Sequence, residues 1–316
     1  NKIIKRDFDF SAQASSEILL EDIESFLCEG LDSYKLIFIN GVFNKSLSKL
    51  GSNEKFFVGS LKQGMKEMPD IINAHFGKLA DTKQSLVALN TAMANEGAFV
   101  YVKKGVKLDK LVQILFVNTN HEESRMMQTR NLFVLEDFAE AQIFERHQAF
   151  NQGHVFSNSV TESSVGNQAH FKYFKLQNDL DSSSMVDSTF VKQGANSSAL
   201  VDTFAFSGEL VRNNLHFEFT GMHAEAHMDA ITLLKGKSLV DHHTFVDHAV
   251  PNCQSNQLYK GIYDEKSKGV FNGKVMVRKD AQKTNAFQQN NNLLLSDFSS
   301  IDTKPQLEIF ADDVAC

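Results

Sequence analysis

A short pattern recurs along the middle of the chain at nearly constant spacing. The tripeptides Ala141-Gln142-Ile143, Ala169-His170-Phe171, Ala199-Leu200-Val201 and Ala226-His227-Met228 begin at intervals of 28, 30 and 27 residues. Turn-forming residues precede each tripeptide, and a coil of three short strands with its turns would need about 30 residues. The repeat therefore predicts a stacked β-solenoid, in which alternate residues of each strand point into a narrow core. An ordinary β-sandwich stays open as the alternative on the repeat alone.

The aromatic content favours the same interpretation. The chain of 316 residues contains 27 Phe and only 3 Pro. Phe is enriched in strands, whereas Pro removes a donor from the hydrogen-bond ladder. In a solenoid, pairs such as Phe204 with Phe206 and Phe217 with Phe219 can stack in ladders along the axis. The sequence thus predicts a large sheet surface.

Charge and cysteine content exclude several classes of protein. A net charge of -7 argues against a nucleic-acid partner, because such binding comes mainly from Lys and Arg. No apolar run approaches the length of a membrane span, so we expect no membrane partner either. Cys28, Cys253 and Cys316 are too scattered for a disulfide framework and fit a reducing cytosol. We therefore predict a cytoplasmic protein.

The N-terminal third has a different pattern from the rest of the chain. Apolar residues near helical spacing predict helices over 11–27 and 60–96. The segment Leu36-Ile37-Phe38-Ile39-Asn40-Gly41-Val42-Phe43 predicts a strand that turns at Asn-Gly. From Ala98 onward, short apolar or alternating runs dominate. We predict an α/β cap over 1–96 and a β-helix core over 97–316.

One group of residues suggests metal chemistry. His223, Glu225 and His227 lie two apart, so on a strand they would share a face, and imidazole with carboxylate suits Zn, Fe or Mn. A cupin-like, metal-dependent β-fold enzyme is therefore one hypothesis. The alternative is a solvent-facing strand surface whose other face carries Ala224 and Ala226. Conventional catalytic and phosphate-binding motifs are absent from the sequence, which favours a protein that is not an enzyme.

The last quarter carries the most specific motifs. The run His248-Ala249-Val250-Pro251-Asn252-Cys253-Gln254-Ser255 and the ending Asp312-Asp313-Val314-Ala315-Cys316 resemble the SufB/SufD family of iron–sulfur cluster assembly scaffolds. The ending is closer to SufD than to SufB, and Glu145-Arg146-His147 extends the resemblance upstream. The resemblance implies a right-handed parallel β-helix core and a non-catalytic scaffold subunit.

The resemblance also implies partners and a cargo. Members pair edge to edge with a SufB-like paralogue, or with themselves when alone, and each binds a SufC-like ATPase. An iron–sulfur cluster would form transiently at the interface with SufB, and the isolated subunit would hold no cofactor. In the family a histidine and then a helical segment that docks SufC follow the Asp-Asp-Val-x-Cys run. We expect both to lie outside this sequence, which would then be part of a longer protein.

Three residues become candidate metal ligands through this resemblance: Cys316, His248 and Cys253. Each also has a plainer interpretation. A thiol beside acidic residues, such as Cys316, has a raised pKa and looks unreactive unless a cation offsets it. Cys253 fits a small buried residue in a solenoid turn, since free Cys is among the most buried residue types.

Overall fold

The computed structural model describes residues 7–10, 18–119, 124–150 and 153–316. Its helices are α1 (Leu20–Ile23), α2 (Leu61–Glu67), α3 (Pro69–His75) and α4 (Ser85–Met93), with a 3-10 turn at Glu24–Phe26. Its strands are β1 (Ser33–Ile39), β2 (Val42–Phe43), β3 (Gly51–Ser52), β4 (Phe56–Ser60), β5 (Ala98–Val102), β6 (Leu111–Asn118), β7 (Arg125–Leu135), β8 (Glu140–Ala149), β9 (Val155–Val165), β10 (His170–Asn178), β11 (Ser184–Gln193), β12 (Ser198–Ser207), β13 (Leu210–Phe219), β14 (Glu225–Leu234), β15 (Leu239–His248), β16 (Gln254–Tyr263), β17 (Lys268–Val277), β18 (Thr284–Leu294), β19 (Ser300–Ile309) and β20 (Val314–Ala315).

The strands form a β-solenoid, which confirms the predicted fold class. Sheet I contains β3, β4, β5 and then the odd-numbered strands β7 to β19, and sheet II contains β2, β1 and the even-numbered strands β6 to β20. Successive strands alternate between the sheets and pair in parallel with the strand one coil earlier. Each coil therefore contains two strands of about ten residues, not the three short strands expected from the repeat length.

Burial along the strands follows the period of two that the solenoid requires. In β17, every second residue from Gly269 to Val277 is buried, and the residues between them lie on the outer face. Phe217 and Phe219 are buried between the sheets, as predicted. The prediction for Phe204 and Phe206 is wrong, because the odd-numbered positions of β12 point inward and these rings lie outside, 6.3 Å apart.

The strand register refines the sequence repeat. Ala141 aligns with Phe171, Phe171 with Ala199, and Ala199 with Ala226, all on the inner face of sheet II. Ala169, which begins the second tripeptide in the sequence, lies two residues before its coil's equivalent position. The repeat predicted from the sequence is therefore in register at three of the four coils. At the second coil the equivalent residue is Phe171 and not an alanine, so residue identity points to the wrong position there.

The N-terminal region is joined to the solenoid through β1. This strand pairs in parallel with β6, and its buried Leu36 and Phe38 belong to the main core. Asn40 and Gly41, both with positive φ, form the tight turn to β2, which confirms the predicted hairpin. The domain boundary between 96 and 97 stays a prediction.

Short helices cover the outer face of sheet I. The predicted helix over 60–96 is instead three helices, α2, α3 and α4. Pro69 disfavours helical geometry at Met68 and starts α3, and residues 76–84 form a non-helical connection to α4. Val87 of α4 packs on Val160 and Phe190 of the sheet. Of the helix predicted over 11–27, residues 11–17 lie outside the described residues, and α1 begins at Leu20. No helix in the described part of the chain is long and apolar enough to cross a membrane.

Candidate functional site

The three candidate ligands taken from the family resemblance lie along one corner of the solenoid, where the chain passes from sheet I to sheet II. His248 is the last residue of β15, and Cys253 directly precedes β16 on the same coil. Cys316 follows β20, two strands further along sheet II. The structure thus places all three predicted ligands on the same corner, near the C-terminal end of the solenoid.

His248 is fully buried at this corner. Its Nε2 lies 2.9 Å from Ser255 Oγ, and its ring packs 4.6 Å from that of Phe219. Its Nδ1 is buried without a hydrogen-bond partner among the described residues. Burial lowers the pKa of His248 to about 4, so the ring is neutral at pH 7. The neutral imidazole is the form that can bind a metal, although here it faces the closed interior.

Cys253 points into the hydrophobic core. Its Sγ donates to the carbonyl oxygen of Gly221 at 3.4 Å and lies 3.6 Å from that of Pro251. Burial raises the pKa of the Cys253 thiol, which keeps it protonated at neutral pH. The thiolate is the form that binds iron, so this environment supports the packing interpretation over the ligand interpretation.

Cys316 is exposed at the edge of sheet II. The strand before it pairs through Val314 with Thr284 and through Ala315 with Asn285. One residue further, Cys316 lies beside Ala286. Desolvation raises the pKa of the Cys316 thiol, and a hydrogen bond from the backbone of Ala286 partly opposes that rise. In this register, Cys316 follows Ser255 and Ala286, which are neighbours on the inner face of sheet II.

The strand spacing sets how far apart the candidate ligands lie along this corner. Two strand separations put the backbone of Cys316 about 10 Å from that of Ser255, the residue whose hydroxyl contacts His248. Among the described residues, no three His, Cys, Asp or Glu side chains are close enough to hold a metal. A cluster at this corner would need ligands from elsewhere.

The predicted His-x-Glu-x-His stripe does not form on one strand. β14 begins at Glu225, so of the three predicted residues Glu225 and His227 lie on its outer face and His223 does not. His223 is in the preceding turn with a left-handed φ of 61°, which breaks the alternation that the prediction assumed. The structure therefore lacks the geometric basis for the metalloenzyme hypothesis.

The C-terminal end of the solenoid is open and apolar. β19 pairs only with β17, and β20 covers only two residues of β18 in the described chain. Large apolar side chains are exposed there, among them Phe298 at 75% and Phe310 at 62%. Others on the same two strands and their connections are Phe287, Leu293, Leu294, Leu295, Leu307 and Ile309. These apolar side chains form a patch on the last coil of the described chain.

Sequence reasoning missed a network of charged side chains inside the solenoid. Glu145 Oε1 lies 3.0 Å from His147 Nε2, and its Oε2 accepts from Tyr173 Oη at 2.7 Å. On the next coil, Lys175 binds Asp187 across the two sheets. The sequence contains a signal for this network, because Glu145 and His147 continue the every-second-residue alternation of the inward residues Ala141 and Ile143. That alternation predicts that both polar side chains point inward.

Comparison with known proteins gives two family matches that together cover almost the whole chain. Residues 116–316 match the SufBD core domain of SUF system FeS cluster assembly, and residues 1–114 match the SufBD protein N-terminal region. An iron–sulfur cluster assembly SufBD family protein of Synechocystis sp. is 30% identical over 98% of this chain and 70% of its own length. Iron–sulfur cluster assembly protein SufD of Escherichia coli is 28% identical over 90% of this chain and 66% of its own.

A third relative, the chloroplastic protein ABCI7 of Arabidopsis thaliana, is 29% identical over 82% of this chain and 59% of its own length. The chain therefore spans roughly 60–70% of the length of these relatives. The resemblance inferred from the motifs is confirmed. Taken together, the two family matches and the identity to the Synechocystis protein show that this chain belongs to the SufBD family of iron–sulfur cluster assembly proteins.

Proposed function

We propose that the intact protein is a non-catalytic, SufD-like scaffold subunit of iron–sulfur cluster assembly in the cytoplasm. Family membership and relatives named SufD support this role. The observation that carries it furthest is that the two family regions together match almost the whole chain, residues 1–114 and 116–316. Apolar side chains of β18 and β19 are exposed in the described chain, and a second solenoid of the same shape would bury them at this end.

The partner at this end would be a SufB-like paralogue, or a second copy of the chain when the paralogue is missing. Edge-to-edge pairing with β19 would continue sheet I into the partner. Cys316 would then lie at the border of the two solenoids, where the nascent iron–sulfur cluster could take its other ligands from the partner. The cluster is the product that the scaffold carries, and a SufC-like ATPase would bind the intact protein outside this interface.

The test is reconstitution with the intact protein. It would be co-expressed with the SufB-like and SufC-like proteins of its own organism and purified without oxygen, and iron and sulfide would be measured on the complex and on the subunit alone. We expect a stable complex that carries both elements and a lone subunit that carries neither. Absence of a complex, or stoichiometric iron on the lone subunit, would overturn the proposal.

A pair of variants tests the docking surface. Phe310→Asp at the open end should weaken association with the paralogue by about tenfold or more, because it places a charge in an apolar interface. Leu31→Asp, an equally drastic change at an exposed site far from this end, should leave association unchanged. If Phe310→Asp instead lowers the melting temperature of the lone subunit and leaves the complex intact, the protein's own chain covers this end and the docking proposal fails.

A further inference from the structure

Two oppositely charged side chains meet inside the solenoid, away from water. Lys175 lies on the inner face of β10 in sheet II, and Asp187 lies on the inner face of β11 in sheet I. Lys175 Nζ is 2.5 Å from Asp187 Oδ2, and the exposed fractions of the two side chains are 6% and 1%. The pair therefore joins the two sheets of one coil through the core.

The other lysine–carboxylate ion pairs in the described part of the chain lie at the surface. In each of them at least one partner has 31% or more of its side chain exposed, and for Lys268 and Asp302 the exposed fractions are 44% and 66%. Water stabilises both charges of such a pair, so both groups stay ionised. Lys175 and Asp187 lack this solvation, and an ion pair in such a site is costly to keep charged.

The surroundings favour the neutral form of the carboxyl group. Burial raises the pKa of Asp187, the Lys175 ammonium partly opposes that rise, and the nearby charge of Glu145 adds to it. Glu145 aligns with Lys175 on the neighbouring strand β8. A proton that passes from Lys175 to Asp187 leaves an amine and a carboxylic acid without changing the net charge of the core. These are the two groups that condense to an amide.

The negative charge beside the pair is fixed in position. Glu145 Oε2 accepts from Tyr173 Oη at 2.7 Å and from Asn131 Nδ2 at 2.9 Å, and its Oε1 lies 3.0 Å from His147 Nε2. Burial alone would raise the pKa of Glu145, but the contact with His147 brings it below its ordinary value. Glu145 thus stays ionised and keeps acting on Asp187 from a fixed place.

A hydroxyl group connects the amine to the carboxyl group. Lys175 Nζ donates to Thr189 Oγ1 at 2.5 Å, and Thr189 Oγ1 lies 3.5 Å from Asp187 Oδ1, to which it can donate. Thr189 can therefore accept a proton from the amine and pass its own to Oδ1. The ring of Tyr173, 4.9 Å from Lys175 Nζ, helps to hold the amine in place.

The amine is also close to the carboxyl carbon. A nitrogen in hydrogen-bond contact with one carboxyl oxygen is about 3–3.5 Å from the carbon, which is the separation of a near-attack arrangement. The last torsion of an aspartate side chain is broad, so the carboxyl group of Asp187 can turn its face to the nitrogen.

We propose that Lys175 and Asp187 form a covalent isopeptide bond inside the folded solenoid. Thr189 first passes one proton from Nζ to Oδ1, and the neutral Nζ then attacks Cγ while an electron pair moves onto Oδ2. Thr189 passes a second proton from Nζ to Oδ1, the Cγ–Oδ1 bond breaks and one water molecule leaves. The electron pair on Oδ2 returns to Cγ and restores the carbonyl group.

The product is favoured by the same burial that disfavours the ion pair. A neutral amide replaces two desolvated charges, and the folded core supplies the proximity that free amine and acid lack in water. The bond would tie β10 to β11 and thus sheet II to sheet I in the middle of the solenoid. The proposal does not depend on the scaffold function, because both residues lie in the interior and not on a surface available to a partner.

The test is the mass of the intact protein, measured by electrospray mass spectrometry after denaturation. We expect a mass lower than that of the sequence by one water molecule. Trypsin should fail to cleave after Lys175, and fragmentation should identify one branched peptide that joins Lys175 to Asp187. Lys175→Gln and Asp187→Ala should each restore the full mass. Lys172→Gln, on the outer face of the same strand, should keep the loss.

Thr189→Val tests the proton relay. It should lower the cross-linked fraction, measured soon after synthesis, by about tenfold or more, because a relay of this kind typically contributes at least that much to the rate. An unchanged fraction would contradict the role of Thr189.

The mass of the wild-type protein decides the proposal even where a core variant fails to fold. A folded wild-type protein, as judged by circular dichroism, with the full mass of its sequence would overturn it. Loss of water that persists in Lys175→Gln would also overturn it, since the loss would then come from another site.

Discussion

Three histidines are buried in the neutral form, so the free energy of unfolding of the protein depends on pH. Burial lowers the pKa of His216, His242 and His248 to about 4. His242 lies between the sheets, with its Nε2 3.0 Å from Thr232 Oγ1. In the unfolded chain, a histidine has a pKa of about 6.5. Each histidine therefore gains a proton on unfolding at any pH between these values.

We expect the free energy of unfolding to fall as pH decreases from about 6.5 to 4, because the unfolded state binds more protons there. Desolvation, with Asp229 nearby, raises the pKa of Asp202 to about 6. The folded state therefore binds this proton more tightly than the unfolded state, which partly offsets the loss of stability as the pH falls. His242→Gln should remove up to about 1.4 kcal/mol per pH unit from the slope. Urea unfolding at pH 7, 6, 5 and 4 would measure it, with exposed His154→Gln as the control. An unchanged slope in His242→Gln would contradict the assignment.

At the scale of elements, close contact between neighbouring strands depends on particular glycines. Gly97 lies directly before β5, and a Cβ there would come within 1.7 Å of the backbone oxygen of Arg130 on β7. Gly105, in the turn after β5, has a φ of 72° but open space around the missing Cβ. The first position is limited by packing between strands, and the second only by backbone conformation.

Gly97→Ala should therefore destabilise the protein by about 3 kcal/mol, because neither backbone can move without disturbing the pairing of β5 with β7. Gly105→Ala should cost only about 1 kcal/mol, the strain of a left-handed alanine. Denaturant unfolding would measure both changes. Equal losses would show that the β5–β7 contact is not as tight as the structure indicates.

Sequence patterns predicted correctly the elements whose conformation depends on neighbouring residues in the chain. The Asn40-Gly41 turn was predicted because both residues tolerate positive φ. The opposite orientation of His242 and His243 also follows from alternation: His242 is buried, and His243 lies outside with its Nε2 2.8 Å from Asp241 Oδ1. The number of strands per coil was not predicted, because about 30 residues can be divided into two long or three short strands.

For the whole molecule, a solenoid couples each coil mainly to its neighbours. Central strands such as β11 pair on both sides, whereas β19 pairs on one side only in the described chain. The apolar residues of β18 and β19 are also largely exposed. Within the described chain, opening β18 and β19 should therefore cost less free energy than opening β11.

Hydrogen exchange should show this gradient. We expect amides of β18 and β19 to exchange faster than those of β11 and β13 in the lone protein, and to slow by about tenfold or more when a SufB-like partner binds. Protection of the central strands should not change. Uniform exchange along the solenoid would contradict the gradient, and protection elsewhere on binding would place the partner at another surface.

The sequence by itself determined the family, the solenoid class and the three candidate ligands His248, Cys253 and Cys316, because motifs and strand alternation can be recognised from the order of residues along the chain. Only the tertiary structure decided which of these residues meet. It separated Cys316 from His248 by two strand spacings, and it placed Glu162 against the connection from α3 to α4. Such distances depend on strand register and on how the α3–α4 connection is held by Glu162, and these contacts join residues more than 80 positions apart. No local pattern encodes a contact at that separation.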